Sequence, residues 1–124
     1  MDDNADYSDP SAVQRAVVLS ISIKERAALY AAYMPYLKGG GIFLPTAKSF
    51  AMGDAVLVIL QLLDNPKRFP LNGIVAWITP AGVANKAQGI GVQFPQDELG
   101  LEARQLIESS LGSALRSGRK THTL

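Results

Sequence analysis

The feature that most constrains this fold is a succession of strand-like segments, with no helical segment between residues 42 and 94. Four strands are predicted there, at residues 42–44, 55–63, 68–79 and 87–94, after a first strand at 17–23. A doubly wound parallel sheet needs a helix between successive strands, so this order excludes that fold. The sequence predicts a chain dominated by β-structure that forms a small antiparallel β-barrel.

Two helices are predicted in addition to the strands. The first is short and rich in alanine, covers residues 24–34 and ends at Pro35. The second is long, begins at Asp97 or Glu98 and runs to about residue 115. We expect it to pack on the barrel through an apolar stripe, which comprises Leu99, Ala103, Leu106, Ile107, Leu111 and Ala114.

The strand at residues 68–79 contains the dipeptide Asn72-Gly73, which also fits a hairpin turn. A hairpin there would leave only a stub of strand before the turn, so we interpret the dipeptide as a bulge inside one strand. Within residues 74–78, the alternation predicts that the two isoleucines face the core. Val75 and Trp77 are then predicted to point the other way.

The chain has 124 residues, a length that fits one domain. Of these residues, 48% are hydrophobic and 19% are charged. The net charge of +1 creates no basic field for nucleic acid or acidic lipid, and no run reaches the roughly 18 apolar residues of a membrane span. Charges of one sign gather at each end. We divide the chain into an acidic tail at 1–12, a barrel domain with its terminal helix at 13–115 and a mobile basic tail at 116–124.

The residues offer little for catalysis. The chain has no cysteine and one histidine, His122, which we expect to be a solvated tail residue that is not held as a general base. No spacing of acidic residues matches a metal-binding loop. The glycines at 39–41 lead into a strand rather than a helix, so we interpret them as a turn and not as a phosphate loop. The sequence therefore predicts no enzyme, no metal and no cofactor.

Aromatic residues indicate a binding surface instead. Tyr30, Tyr33, Met34 and Tyr36 lie in or just after the short first helix, which is apolar on all sides. Such a helix has one core-facing side on a small barrel, so we expect the rest of its apolar surface to be exposed or covered by a partner. Trp77 is exposed too if two glycines of the next strand leave it bare; the alternative is that the terminal helix covers it. We predict all five residues as partner contacts, because exposed tyrosine and tryptophan dominate binding hot spots.

Several segments resemble the PilZ domain family. Residues 73–78 and 89–94 are similar to the paired strands of that small β-barrel. Residues 24–46 are the more specific part and resemble the type IV pilus branch of the family, as do residues 119–124. The resemblance covers residues 17–124. It implies a non-enzymatic adaptor in type IV pilus biogenesis and twitching motility.

PilZ domains generally bind the bacterial messenger cyclic dimeric GMP through two motifs, and this sequence departs from both. The first, Arg-x-x-x-Arg, occurs nowhere in the chain. The second, Asp/Asn-x-Ser-x-x-Gly, aligns on Gly41, which puts Tyr36 at the acid or amide position and Lys38 at the serine position. Arginines bind phosphate and guanine edges with paired donors, so their loss removes much of the affinity. We expect no binding of the messenger; the alternative is a direct receptor with an atypical site.

The resemblance implies two protein partners, the pilus-extension ATPase and a degenerate EAL/GGDEF-type cyclic-di-GMP receptor. It also implies a cytoplasmic protein that is recruited to the pilus base at the inner membrane without inserting into it. The basic tail is predicted to pair with acidic groups of a partner through Arg116, Arg119 and Lys120. An oligonucleotide-binding barrel is a further alternative, but its strands would combine basic and aromatic residues, whereas these strands are nearly uncharged.

Overall fold

The computed structural model of the protein describes residues 17–118 and 120–124. The predicted acidic tail at 1–12 and Arg119 lie outside the described residues. In chain order, the elements of the described part are β1 (Val17–Ile23), α1 (Arg26–Ala32), β2 (Gly41–Pro45), β3 (Ala55–Leu62), β4 (Arg68–Thr79), β5 (Gly89–Gln93), α2 (Glu98–Leu111) and a 3-10 turn (Gly112–Arg116).

The strands form one sheet in the order β1-β3-β4-β5-β2. It curls into a half-barrel that carries one short and one long helix, which confirms the predicted β-dominated, barrel-like fold. The prediction of a wholly antiparallel sheet is wrong at one place, because β1 runs parallel to β3. Between these two strands the chain passes through α1 and β2, and this long connection allows β3 to run in the same direction as β1.

The core lies between one face of the sheet and α2. Alternate residues of β3 and β4 point into it, as the period of a strand requires. Three residues of the predicted apolar stripe, Ala103, Ile107 and Leu111, are buried on α2, and Gly100, which was not predicted, is buried beside them. Each large side chain removed from water contributes about 1.5–3 kcal/mol. The residues of these three elements that are buried in the core are Val56, Val58, Leu60, Leu62, Phe69, Leu71, Val75, Ala103, Ile107 and Leu111.

Helix α1 ends earlier than predicted, and the chain after it joins the sheet. Tyr33 is already extended, with ψ of 139°, although its amide still donates to the Leu29 carbonyl at 2.9 Å. Tyr33 also forms an isolated bridge with Ile42 of β2. The next amide, that of Met34, donates to the Gly41 carbonyl at 2.9 Å. The last two residues of the predicted helix, Tyr33 and Met34, therefore lie along the edge of β2.

The irregularity in β4 falls between Val75 and Trp77 rather than at Asn72-Gly73, which pairs regularly with β3. One continuous strand is thus confirmed, but the predicted position of the bulge is wrong. The predicted alternation is wrong for Ile74 and Val75, because Val75 is 1% exposed and Ile74 is 51% exposed. Gly73 explains which residues of β4 face inward. A methyl group there would lie 2.3 Å from Val92 Cγ1, so the inward position next to β5 admits only glycine.

Candidate functional site: an aromatic surface on the outer face of the sheet

Paired residues place a second apolar layer on the face of the sheet that points away from the core. Trp77 of β4 pairs with Gly91 of β5, and Gly91 pairs with Phe43 of β2. Residues opposite one another on neighbouring strands point to the same face. Val75 pairs with Val92 on the core face, so the shift after Val75 brings Trp77 to the outer face.

Two glycines of β5 make room for this outer layer. A methyl group at Gly91 would lie 2.5 Å from Met34 Sδ and 2.8 Å from Trp77 Cβ. One at Gly89 would lie 2.6 Å from Phe43 Cζ. Glycine in a strand commonly marks such a close approach. The glycines therefore do not leave Trp77 bare, because Met34 fills the space above Gly91.

Tyr36 and Trp77 form an edge-to-face pair. Their ring centroids are 6.5 Å apart and the rings are inclined at 61°, an arrangement that aromatic rings prefer. Trp77 is half-buried and its Nε1 donates to Thr79 Oγ1 at 2.8 Å. Tyr36 is 43% exposed. The sequence left open whether the terminal helix covers Trp77. In the structure the Tyr36 ring contacts the indole, and this aromatic pair reaches the surface.

The other three residues predicted as contacts in this segment are buried. Tyr30, Tyr33 and Met34 are 9%, 1% and 0% exposed. Their expected exposure is wrong, because α1 lies against the sheet on one side and against α2 on another, so the domain covers the apolar surface of the helix itself. These residues support the site from within.

Tyr33 links the segment before Tyr36 to α2. Its Oη donates to Glu108 Oε2 at 2.5 Å, and Arg104 Nε donates to the same oxygen at 3.3 Å. Burial, and then the hydrogen bond to Glu108, raises the pKa of Tyr33 well above its usual range. The phenol is therefore protonated at neutral pH and acts as the donor of this bond.

Residues 121–124 fold back on the domain and are termed the C-terminal hook. The His122 amide donates to the Ala31 carbonyl at 2.9 Å, and the imidazole stacks on Phe43 with 5.0 Å between ring centroids. Thr123 is buried, and its hydroxyl forms a hydrogen bond with Tyr36 Oη. The expectation of a solvated histidine in a tail free of the domain is therefore wrong for these residues.

Polar contacts hold the hook, which is why the apolar pattern did not reveal it. Lys86 Nζ donates to the Thr121 carbonyl at 3.4 Å. Burial, and then the nearby charge of Lys86, lowers the pKa of His122, so the stacked imidazole is neutral at pH 7. Burial also raises the pKa of Tyr36. No hydrophobic period could have marked a threonine hydroxyl that meets a tyrosine 87 positions away.

Two of the three cations predicted as partner contacts lie on the surface, a few residues before the hook in the chain. Arg116 ends the 3-10 turn and is exposed, and Lys120 is exposed directly before the hook. Arg119, the third, lies outside the described residues. Of the predicted contacts, the structure thus brings together Tyr36 and Trp77 and adds Thr123, which sequence analysis missed.

A comparison with protein families matches the PilZ domain over residues 14–112. The chain belongs to the PilZ domain family. A search among curated proteins gave no match. PilZ domains are non-catalytic and act as cyclic-di-GMP receptors or adaptors. Within residues 17–118 and 120–124, no cluster of metal-ligating side chains could hold an ion, and none of the helices is long and apolar enough to cross a membrane.

A glycine turn of this PilZ domain lies among Tyr36, Lys38 and Gly41, the residues that the sequence predicts at the positions of the second nucleotide motif. Gly39 and Gly40 have φ of +80° and +86°, which glycine adopts without strain. The turn leads into β2 and closes through the Gly40 amide, which donates to the Leu37 carbonyl at 2.8 Å. The Lys38 carbonyl accepts from Gln93 Nε2 at 2.9 Å, and Lys38 lines an open groove of about 520 Å³ beside the start of α2.

Proposed function

We propose that this PilZ domain is a non-enzymatic adaptor in type IV pilus biogenesis and twitching motility. The observation that carries the proposal is the Tyr36–Trp77 pair on the outer face of the sheet. Large aromatic side chains of this kind dominate binding hot spots because they bury much area at a small entropic cost. The pilus context, and recruitment from the cytoplasm to the pilus base at the inner membrane, rest on the resemblance of residues 24–46 to the pilus branch of the family.

The proposed partners are the pilus-extension ATPase and a degenerate EAL/GGDEF-type receptor. The aromatic pair suits an apolar pocket on a partner surface, and the exposed cations Arg116 and Lys120 suit an acidic rim around it. Charges at a rim mainly increase the rate of association and make binding sensitive to salt. The aromatic pair therefore provides affinity in this proposal, and the cations provide steering.

The same residues argue against a nucleotide-binding role for the isolated domain. Tyr36 and Lys38 replace the acid or amide and the serine of the second motif, and no Arg-x-x-x-Arg pair occurs in the sequence. The Tyr36 hydroxyl is engaged by Thr123, and the Lys38 carbonyl is engaged by Gln93. We therefore propose that the messenger reaches this pathway through the EAL-type partner.

The test is a binding measurement with the purified pilus-extension ATPase and, separately, with the EAL-type receptor. Tyr36→Ala should weaken binding to one of them by about 2 kcal/mol or more, which is roughly 30-fold, and should lower the thermal midpoint only modestly, through the lost bond to Thr123. Trp77→Ala should weaken the same interaction, with a larger loss of stability because the indole is half-buried.

Leu101→Ala is the matched control, because Leu101 is a similarly large apolar side chain that is 53% exposed, on α2 instead of the aromatic surface. It should leave both affinities unchanged. If Tyr36→Ala and Leu101→Ala bind both partners as tightly as the unmodified chain, the aromatic pair is not the interface.

A further inference from the structure

We propose that the C-terminal hook, residues 121–124, is a latch that positions the Tyr36 ring against Trp77. The inference deepens the proposed function and rests on it where partner binding is concerned, because it assigns a determinant of that interface. The structural part, that Thr123 holds the tyrosine, stands on contacts within the chain. Thr123 is thus a positioning residue that acts through Tyr36.

The hook is built as a closed turn. The Thr121 amide donates to the Leu124 carbonyl at 3.1 Å, and the Thr121 hydroxyl accepts from the amides of Thr123 and Leu124 at 3.3 and 3.0 Å. Threonine hydroxyls stabilise turns by bonding to amides a few residues ahead. The turn therefore presents Thr123 in a defined orientation rather than as part of a loose end.

Three elements hold this turn on the domain. Helix α1 accepts the His122 amide at Ala31, β2 supplies the Phe43 ring, and the loop before β5 supplies Lys86. The imidazole stacks on Phe43 at an angle of 27°. Phe43 in turn lies over Gly89, where a side chain would collide with it. The docking surface for the hook is therefore part of the same outer layer that contains Trp77.

The docked hook restricts the side chain of Tyr36. It follows Pro35 outside α1, so no helix restricts its side chain, and its ring is 43% exposed. Two contacts orient it: its ring meets Trp77 in an edge-to-face arrangement, and its hydroxyl meets Thr123. An exposed tyrosine without the second contact samples more rotamers, and a partner must then order it on binding. That cost corresponds to a roughly three- to tenfold loss of affinity.

Trp77 is the single tryptophan of the chain, so its fluorescence reports on this surface directly. Thr123→Val removes the hydroxyl at almost constant volume, and Thr123→Ser retains it. We expect Thr123→Val to shift the emission of Trp77 to longer wavelength, and Thr123→Ser to restore the original spectrum. Tyr36→Phe removes the other hydroxyl and should reproduce the spectrum of Thr123→Val, with no further change in the double variant. Thr46→Val is the control, because the Thr46 hydroxyl accepts a local bond from the Lys48 amide.

A second variant, His122→Ala, removes the stack on Phe43 and leaves both hydroxyls in place. It should shift the emission in the same direction, because the hook loses one of its attachments. If Thr123→Val and His122→Ala both leave the emission of Trp77 unchanged, the latch does not position Tyr36 and the inference is overturned.

Binding to the purified partner that responds to Tyr36→Ala completes the test. Thr123→Val should bind it three- to tenfold more weakly, and Thr123→Ser should bind as the unmodified chain does. A gain of affinity in Thr123→Val would show that the hook occludes the surface, which refutes the inference. If the spectra change as expected but Tyr36→Ala alters no affinity, the latch is supported and the proposed interface is the part that fails.

Discussion

Replacing Tyr33 with phenylalanine isolates the bond that ties the segment before the aromatic surface to α2. The Tyr33 side chain is 1% exposed and its hydroxyl donates to Glu108 Oε2 at 2.5 Å. A hydrogen bond to a charged group contributes about 1.5–3 kcal/mol. The Glu108 side chain is 36% exposed, so water replaces part of the lost bond. We therefore expect Tyr33→Phe to lower the free energy of unfolding by about 1 kcal/mol.

Urea unfolding measures this loss, with the slope of the transition expected to stay constant because the ring and its packing remain. Glu108→Gln retains an acceptor for Tyr33 and should cost less than Glu108→Ala. The effects of Tyr33→Phe and Glu108→Ala should not add, since both remove the same bond. A Tyr33→Phe variant that is as stable as the unmodified chain would refute the assignment of this bond as a link between the segment after α1 and α2.

The same residue predicts an alkaline limit to stability. Burial, and then the bond to Glu108, raises the pKa of Tyr33 above that of an unfolded tyrosine, which is about 10. Above that pH the unfolded chain loses the phenolic proton while the folded chain retains it, so stability is complete below pH about 10 and falls as pH rises further. Tyr33→Phe should unfold with a shallower dependence on pH in this range. An identical dependence in both chains would contradict the shifted pKa.

Three further outcomes are expected. Calorimetric titration with cyclic dimeric GMP should show no saturable binding, because each missing charged contact removes about 1.5–3 kcal/mol; a micromolar affinity would contradict this. Gly91→Ala should lower the free energy of unfolding by about 1–3 kcal/mol, since its methyl meets Met34 and Trp77 at 2.5 and 2.8 Å; an unchanged urea midpoint would count against the close contact. Deletion of residues 116–124 should leave a folded domain with a lower melting temperature and weaker partner binding. It should also remove most of the salt dependence of binding, because exposed charges are screened within ~10 Å at 0.1 M salt. Normal twitching by cells with the shortened chain would show that the segment is dispensable.

The strands and α2 could be predicted because their apolar residues follow a regular period. The phase of β4 could not, since a bulge reverses the inward and outward positions at one residue and leaves the composition unchanged. Gly73 was the available signal, because an inward glycine marks the point where Val92 approaches. The parallel pairing of β1 with β3 depends on which strands become neighbours, and the sequence of β1 alone does not encode that choice.

The candidate site could likewise be predicted only in part from the sequence. Trp77 and Tyr36 could be found from residue type, because large aromatic side chains outside a small core are typical of binding surfaces. The burial of Tyr30 and Tyr33 could not be foreseen, because it depends on α2 lying beside α1. The hook was missed because its contacts are an amide, an imidazole face and a hydroxyl, and none of these contributes to a hydrophobic pattern.

Tyr36 connects the two halves of the proposed function. The sequence predicts it at the position where the nucleotide motif of the family has an acid or an amide, and its ring is also the more exposed half of the pair with Trp77. An aspartate or asparagine at this position would have neither the ring that reaches Trp77 nor the hydroxyl that meets Thr123. In the proposed function, the same residue therefore replaces a nucleotide-binding group and supplies the aromatic surface. In the proposed function, replacing Tyr36 with aspartate or asparagine should therefore remove the aromatic contact with Trp77 and weaken partner binding.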